Sequence, residues 1–148
     1  MVDKIGQLLY NPLIMKLSTR GRYAVTAMFD LAAHSDGELV SAAEISKRQG
    51  ISLSYLEQLL LKLKRGGLVT TVKGPSGGYR LAKKPSQVSI GEIIAAVEGP
   101  VALADCVTST CPKSGCCSTR SLWESLSDKV TKVLDSTTLK DLCEENRV

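Results

Sequence analysis

The chain has 148 residues, of which 43% are hydrophobic and 4% aromatic, and its formal net charge is +4 at pH 7. This length suits one domain with an appended segment, built around an aliphatic core. No apolar run approaches the roughly 20 residues that a membrane-spanning helix needs, and the first residues lack the basic and apolar regions of a secretory signal. We therefore expect a cytoplasmic protein with no membrane partner.

The positive charge is concentrated in the first part of the chain. Residues 1–84 contain 13 Lys and Arg against 6 Asp and Glu, whereas residues 85–148 contain 6 against 9. The first part is therefore better suited to a polyanionic partner. Charge alone does not distinguish such a partner from ordinary solvation of a protein surface.

The N-terminal part is predicted to be an arm followed by a helix. Residues 1–14 contain an Asn-Pro breaker signal and are predicted to form a peripheral arm, or an extension ahead of an alternative start at Met15. Apolar residues then recur at helical spacing up to His34, and Ser18 or Thr19 can cap this helix.

Two capping-box patterns predict the next two helices. Ser41 and Glu44 form the first box, ahead of a short helix that Gly50 ends. Ser54 and Glu57 form the second box, ahead of another predicted helix. Its inward-facing residues are predicted to be Leu56, Leu59, Leu60 and Leu63, and its outward-facing residues Lys62, Lys64 and Arg65. Two capped helices joined by a tight glycine turn are typical of a helix–turn–helix unit.

The periodicity of the sequence then changes from helix to strand. Residues 68–72 are β-branched and residues 79–81 form a short return strand, with a glycine-rich turn at 74–78 between them. Helix, turn, helix and a basic hairpin together indicate a winged helix-turn-helix. A further helix is predicted over 89–97.

The last part of the chain contains a cysteine-rich loop and a long helix. The helix is predicted from Thr119 to Leu134, with one apolar stripe that can pair with a second copy or pack on its own subunit. A short turn is predicted over 138–142. The stripe consists of Leu122, Leu126, Val130 and Val133.

The second capped helix is the candidate recognition helix. Ser54 and Tyr55 lie at its N-terminus, where free N–H groups and the helix dipole favour a phosphate. Gln58 can pair with adenine and Glu57 can accept from a cytosine amino group, although each also reads as a solvated polar residue and Glu57 as part of the capping box. Lys73 at the wing tip suits the minor groove or a phosphate. The candidate backbone anchors are Arg65 and Arg80.

Four of the five cysteines lie within residues 106–117, separated by Pro, Gly and Ser. Closely spaced thiolates can hold a soft metal or an iron–sulfur cluster. In a reducing compartment such a group is more often metal-binding or redox-active than a disulfide framework. A zinc site, a thiol switch and an electron carrier are the alternatives. No cysteine is paired with a general base, so no enzyme is expected.

Three segments of the chain resemble the Isc regulator (IscR)-like family of bacterial transcription factors. They are Met15–Met28 (MKLSTRGRYAVTAM), Gln49–Leu59 (QGISLSYLEQL) and Val72–Tyr79 (VKGPSGGY). The resemblance extends from Met15 to about Asn146. It implies a homodimeric winged-helix regulator of double-stranded promoter DNA, with an iron–sulfur cluster near a long dimerisation helix. It assigns DNA contacts to Ser54, Tyr55, Glu57, Gln58 and Lys73.

The resemblance also implies three cluster ligands, Cys106, Cys111 and Cys117, with Cys116 as an additional neighbour. The spacing of the first two matches the related nitric-oxide-sensing branch of the family. We therefore expect a cluster of the 2Fe-2S or the 4Fe-4S type.

The fourth ligand departs from the family pattern. The Isc regulators have a histidine where this chain has Arg120, and the nitric-oxide sensors have an aspartate where it has Arg22. An arginine is not an ordinary metal ligand. The only histidine, His34, is expected at the surface. The remaining candidates are Cys116, Asp105, Cys143, a side chain from residues 1–14, or a small molecule.

We therefore predict a mainly α protein with a small β-hairpin wing. The expected divisions are an arm (1–14), a winged helix-turn-helix domain (15–99), a cysteine-rich loop (100–118), and a dimerisation helix with a C-terminal turn (119–148). The expected function is a transcriptional regulator, in the simplest case a repressor, that senses iron–sulfur, iron or redox status. A cluster-free winged-helix regulator that uses a thiol switch or zinc is the alternative, and an electron-transfer or thiol-redox protein is a third.

Overall fold

Six α-helices and one two-stranded sheet form the described part of the chain, which comprises residues 17–104, 107 and 118–146 of a computed structural model. A short 3-10 helix, Pro85–Gln87, precedes the fourth α-helix. This mainly α architecture confirms the predicted fold class. In chain order the elements are α1 (Thr19–His34), α2 (Ala42–Gln49), α3 (Leu53–Arg65), β1 (Val69–Val72), β2 (Gly78–Leu81), α4 (Ile90–Glu98), α5 (Arg120–Ser136) and α6 (Leu139–Glu145).

The core is aliphatic, as the low aromatic content predicts. Helix α1 is central, because it contacts α2, α3, α4, α6 and β2. Leu56, Leu59, Leu60 and Leu63 of α3 form one buried face, which confirms the orientation predicted for these four leucines. The fully buried residues of these helices include Ala24, Met28, Leu31, Leu56, Leu60, Leu63 and Ile93.

The helix–turn–helix forms from local signals that the sequence carries. The N–H of Glu44 donates to Oγ of Ser41 at 3.1 Å, and the N–H of Ser41 donates back to the Glu44 carboxylate at 2.8 Å. This is the predicted capping box of α2. Gly50 ends α2 in the left-handed region at φ 66°, where a residue without a Cβ is favoured. Ser18 caps α1 as predicted, since its Oγ accepts from the N–H of Gly21 at 3.2 Å.

The predicted start of α3 is wrong by two residues. The cap is Ser52, which makes no side-chain capping bond, and the first helical residue is Leu53. The side chain of Ile51 is buried, so the chain enters the core directly after the Gly50 turn and the helix begins at once. Ser54 is therefore already inside the first turn. The Ser54–Glu57 capping box does not form, and both side chains remain exposed.

The wing is an antiparallel hairpin fastened to the rest of the domain. Val69 pairs with Leu81, and Val72 pairs with Gly78. Beyond the hairpin, Val40 and Tyr79 exchange two backbone hydrogen bonds, of 2.9 and 2.7 Å, which tie β2 to the segment before α2. A Cβ on Gly78 would lie 2.7 Å from the carbonyl oxygen of Val40, so this close approach requires glycine.

The two C-terminal helices pack against earlier helices, because α5 contacts α4 and α6 contacts α1. Helix α4 begins with a capping box between Ser89 and Glu92, and α6 begins with another between Thr138 and Asp141. The predicted terminal turn is thus the start of a helix that contacts α1. Among the residues that the structure describes, no helix has the length and apolarity needed to cross a membrane.

Candidate nucleic-acid interface

The outer face of α3 is accessible and mainly polar, with Leu61 as an exposed apolar residue. Ser54, Glu57, Gln58 and Arg65 are exposed, and they lie opposite the leucines that the helix buries. Residues three and four apart are neighbours on a helix surface, so Ser54, Glu57 and Gln58 form one patch. Within the described part of the chain no ion pair involves Glu57, and the capping box no longer accounts for it.

Tyr55 differs from its neighbours, because its ring is half-buried. It meets the ring of Tyr23 on α1 edge to face, with the ring centroids 5.9 Å apart and the planes at 75°. Such a pair stabilises a defined ring orientation. The contact holds the first turn of α3 against α1.

Three exposed basic side chains belong to α3 and the wing. Lys73 follows β1 at the wing, Arg80 lies in β2, and Arg65 ends α3. All three are exposed, and none forms an ion pair with another described residue. Cations without an ion pair in the described part of the chain, on α3 and the wing, are of the kind that contact phosphates.

A buried ion pair, which the sequence analysis missed, joins α1 to α2. Asp30 is fully buried and Arg48 donates two hydrogen bonds to its carboxylate, of 2.7 and 3.0 Å. Gln49 donates a third at 2.7 Å. The sequence does contain a signal for this pair, because Asp30 stands at helical spacing among apolar residues. A carboxylate on a buried helix face requires polar partners.

Burial and hydrogen bonding shift the pKa of Asp30 in opposite directions. Burial raises the pKa of the Asp30 carboxyl, but the hydrogen bonds from Arg48 and Gln49 and the charge of Arg48 outweigh it, so the pKa lies below its ordinary value. The carboxylate is therefore charged in the folded protein at neutral pH. It fixes the end of α2 next to the Gly50 turn that leads into α3.

The candidate sensor cysteines Cys106, Cys111, Cys116 and Cys117 lie outside the described residues, as does Asp105. The residues that lead into this loop are described. The N–H of Leu103 donates to Oγ of Ser127 at 3.0 Å, and this buried hydroxyl donates to the carbonyl of Trp123 at 2.7 Å. The N-terminal end of the loop is thereby attached to the middle of α5.

The candidate fourth ligand Cys143 lies in the described part of the chain, as do Arg120 and His34, which the sequence excludes as ligands. Arg120 donates to Glu124 at 2.8 Å, and its permanent positive charge excludes ordinary ligation. The side chain of His34 is 45% exposed at the end of α1, as expected. Cys143 is half-buried in α6, and burial raises the pKa of its thiol, which disfavours the thiolate that a metal requires.

A helix–turn–helix, a pinned hairpin wing and an exposed basic surface define the winged-helix class of DNA-binding proteins. The model of the Rrf2 family, described as "Iron-dependent Transcriptional regulator", matches residues 17–145. The chain belongs to this family, and it is a DNA-binding transcriptional regulator rather than an enzyme.

Named relatives agree with this assignment. The chain is 50% identical over 135 residues to the HTH-type transcriptional regulator IscR of Vibrio vulnificus (strain YJ016), covering 90% of this chain and 80% of that protein. Among solved structures, T. potens IscR has a TM-score of 0.71 at 41% identity, covering 89% of this chain and 88% of that one. The oxidized form of Staphylococcus aureus CymR has a TM-score of 0.70 at 37% identity, covering 88% and 97%.

Proposed function

We propose that this regulator is a homodimer, acting in the simplest case as a repressor in the cytoplasm, that couples promoter binding to an iron–sulfur cluster held by Cys106, Cys111 and Cys117. The observation that carries the proposal is the position of these cysteines. They occupy the loop between α4 and α5, and the hydrogen bond from Leu103 to Ser127 attaches that loop to α5. The IscR name of the similar proteins supports it.

The donor set fits an iron–sulfur cluster. Three closely spaced thiolates are soft ligands of the kind that hold such clusters. Arg120 and Arg22 carry permanent charges and are not ordinary ligands. The fourth position is open to Cys116, Asp105, a side chain from residues 1–14 or an exogenous ligand, and Cys143 is disfavoured by the raised pKa of its thiol. A bound cluster would make the regulator responsive to iron, sulfide and redox conditions, because the assembly and stability of the cluster depend on them.

Anaerobic purification tests the cofactor directly. We expect a brown protein that contains iron and acid-labile sulfide, with a visible absorption band that is lost in a Cys106/Cys111/Cys117→Ala variant and kept in Cys143→Ala. Mössbauer spectroscopy and native mass spectrometry then give the cluster type. A colourless protein with zinc or no metal would instead favour the second candidate function.

That second candidate is a cluster-free thiol switch or zinc site on the same loop. It is favoured by the adjacent pair Cys116–Cys117 and by the likeness to the oxidized form of Staphylococcus aureus CymR. The two candidates share the DNA-binding surface and differ in what the cysteines bind.

The DNA-contacting surface is proposed to be the outer face of α3 with the wing. Gln58 and Glu57 are proposed to read base edges, and Ser54 and Tyr55 to contact a phosphate at the helix N-terminus. Lys73 contacts the minor groove or a phosphate as a point charge, without the bidentate geometry of arginine. Arg65 and Arg80 serve as backbone anchors, which position the protein rather than select a sequence.

The homodimer is proposed to form through α5. Leu122, Val130 and Val133 of this helix are 49%, 38% and 65% exposed, and they form one apolar stripe with Leu126. Exposed apolar side chains at helical spacing are stabilised by pairing with a second helix. Pairing through α5 would present two recognition helices to the two half-sites of a palindrome.

Charge placed in this stripe should dissociate the dimer. We expect Val133→Asp to raise the dimer dissociation constant at least tenfold, because two like charges would be buried at the helix pair. Analytical ultracentrifugation over a range of concentrations measures it. Lys132→Asp, at the neighbouring exposed position, is the control. A Val133→Asp protein with the wild-type dissociation constant would place the dimer contact elsewhere.

A further inference from the structure

We propose that Leu61 is a base-reading residue that contacts thymine C5-methyl groups in the major groove. The inference rests on the proposed role of α3 as the recognition helix, and it adds a specificity determinant to it. Leu61 is 46% exposed, whereas Leu56, Leu59, Leu60 and Leu63 on the same helix are at most 1% exposed.

The position of Leu61 on the helix supports this role. Ser54, Glu57, Gln58 and Leu61 stand at relative positions 0, 3, 4 and 7, the spacing with which the homeodomain recognition helix reads bases. At about 100° per residue, Leu61 lies within roughly 10° of the centre of this face. It is the one apolar side chain of the four.

Packing against the described part of the chain does not account for Leu61. The side chain is not among the half-buried hydrophobic residues that pack against the core, whereas Tyr55 on the same helix is. Helix α3 continues to Arg65, so Leu61 sits on a continuous helical surface rather than at a frayed end. The side chain is therefore available to a partner that approaches this face.

The chemistry of the groove identifies what an apolar side chain can read there. A leucine neither donates nor accepts a hydrogen bond, so it cannot distinguish the polar edges of the bases. The thymine C5-methyl is the apolar group that the major groove of unmodified DNA presents, and apolar side chains contact it. Leu61 is thus suited to thymine at a fixed offset from the base that Gln58 reads.

Uracil substitution tests this contact, because deoxyuridine pairs as thymidine does but lacks the methyl group. Binding sequences are first selected from a random DNA pool with the full-length protein under anaerobic conditions. The dissociation constant is then measured at fixed salt for probes in which each thymidine is replaced singly. We expect the wild type to lose about fourfold at one position per half-site, the factor for one buried methyl group.

Leu61→Ala should bind the thymidine probe at least as weakly as the wild type binds the deoxyuridine probe. Replacing that thymidine by deoxyuridine should not weaken the binding of Leu61→Ala further. Leu53→Ala is the matched control. Leu53 is also an exposed leucine of α3, at 43%, but it lies roughly 90° from the centre of the reading face. Leu53→Ala should show the same loss of affinity as the wild type when the thymidine is replaced by deoxyuridine. Circular dichroism confirms folding, and alanine favours the helix.

The possible failures are distinguishable. If Gln58→Ala relaxes the sequence preference but wild type and Leu61→Ala respond identically to every deoxyuridine, the role of Leu61 is overturned and the α3 face stands. If no sequence is selected, or if Gln58→Ala also leaves the sequence preference unchanged, the proposal that the α3 face reads bases is refuted. The proposed role of Leu61 is then refuted as well.

Discussion

Asp30→Asn is expected to lower the free energy of unfolding by about 3 kcal/mol at pH 7, at the lower end of the range for breaking a buried ion pair. Asp30 is fully buried and accepts from both Arg48 and Gln49. The substitution removes the charge and sets an amide donor against the donors of Arg48. The loss of stability is expected at the lower end of the range because the side chain of Arg48 is 32% exposed and can be hydrated when the ion pair is broken. Chemical denaturation at fixed protein concentration measures the loss.

The same substitution should change the pH dependence of stability. The pKa of Asp30 is lowered in the folded protein from its ordinary value of 3.8, so the unfolded chain takes up the proton first as pH falls. The contribution of Asp30 is therefore fully present above pH 3.8 and is lost as pH falls through the lower, folded value. The difference between wild type and Asp30→Asn should therefore shrink as pH falls through 3.8 towards the lower, folded pKa.

Asp36→Asn is the matched control, because Asp36 is an exposed aspartate just beyond α1 with no ion pair in the described part of the chain. It should leave both the stability and its pH dependence unchanged. An Asp30→Asn protein as stable as the control would show that the pair contributes no net stability. Weaker promoter binding should accompany the loss, since the pair fixes the turn ahead of α3.

Local signals account for the parts of the fold that the sequence predicts. Ser18, the Ser41–Glu44 box and Gly50 act within a few residues, and each is found where the pattern indicates. The predicted start of α3 is wrong because a local pattern alone cannot choose between two candidate caps. Two serines stand two residues apart, and the choice of Ser52 over Ser54 depends on the burial of Ile51, which is a tertiary effect.

The features that the sequence did not predict depend on contacts between distant segments. The Asp30–Arg48 pair joins residues 18 apart, and the bridge from Val40 to Tyr79 joins residues 39 apart along the chain. The return of α6 onto α1 is of the same kind. Periodicity and capping patterns carry no information on such pairings, because those patterns report on neighbours along one element.

The segment that contains the cysteines leads into α5, which contacts α4, and α4 in turn contacts α3. This chain of contacts makes the cysteines testable as a switch. Leu103 is fastened to Ser127 near the middle of α5, and the loop ends where α5 begins at Arg120. Any change in the loop therefore acts on the helix that is proposed to hold the dimer together. The orientation of α5 would set the separation of the two α3 helices, and a palindromic site fixes that separation at about one helical turn, roughly 34 Å, or a multiple of it.

Simultaneous replacement of Cys106, Cys111 and Cys117 by Ala should abolish the dependence of promoter affinity on iron. For the wild type we expect the dissociation constants of cluster-loaded and cluster-free protein to differ about 5- to 150-fold on at least one promoter, the usual range of coupling between two sites. The triple variant should bind with the cluster-free value under both conditions. Binding is measured at fixed salt, because phosphate contacts make affinity salt-dependent.

Two further variants separate the switch from a merely structural role of the loop. Cys143→Ala should keep the full iron dependence. Ser127→Ala should keep the cluster, as its absorption shows, but lose part of the difference in affinity, because the link from Leu103 to α5 is cut. Equal affinity of the triple variant and the loaded wild type for every promoter would refute coupling through this loop. If chelation of zinc or reduction of a disulfide reproduced the wild-type difference without iron, the thiol or zinc switch would replace the cluster as the sensing group.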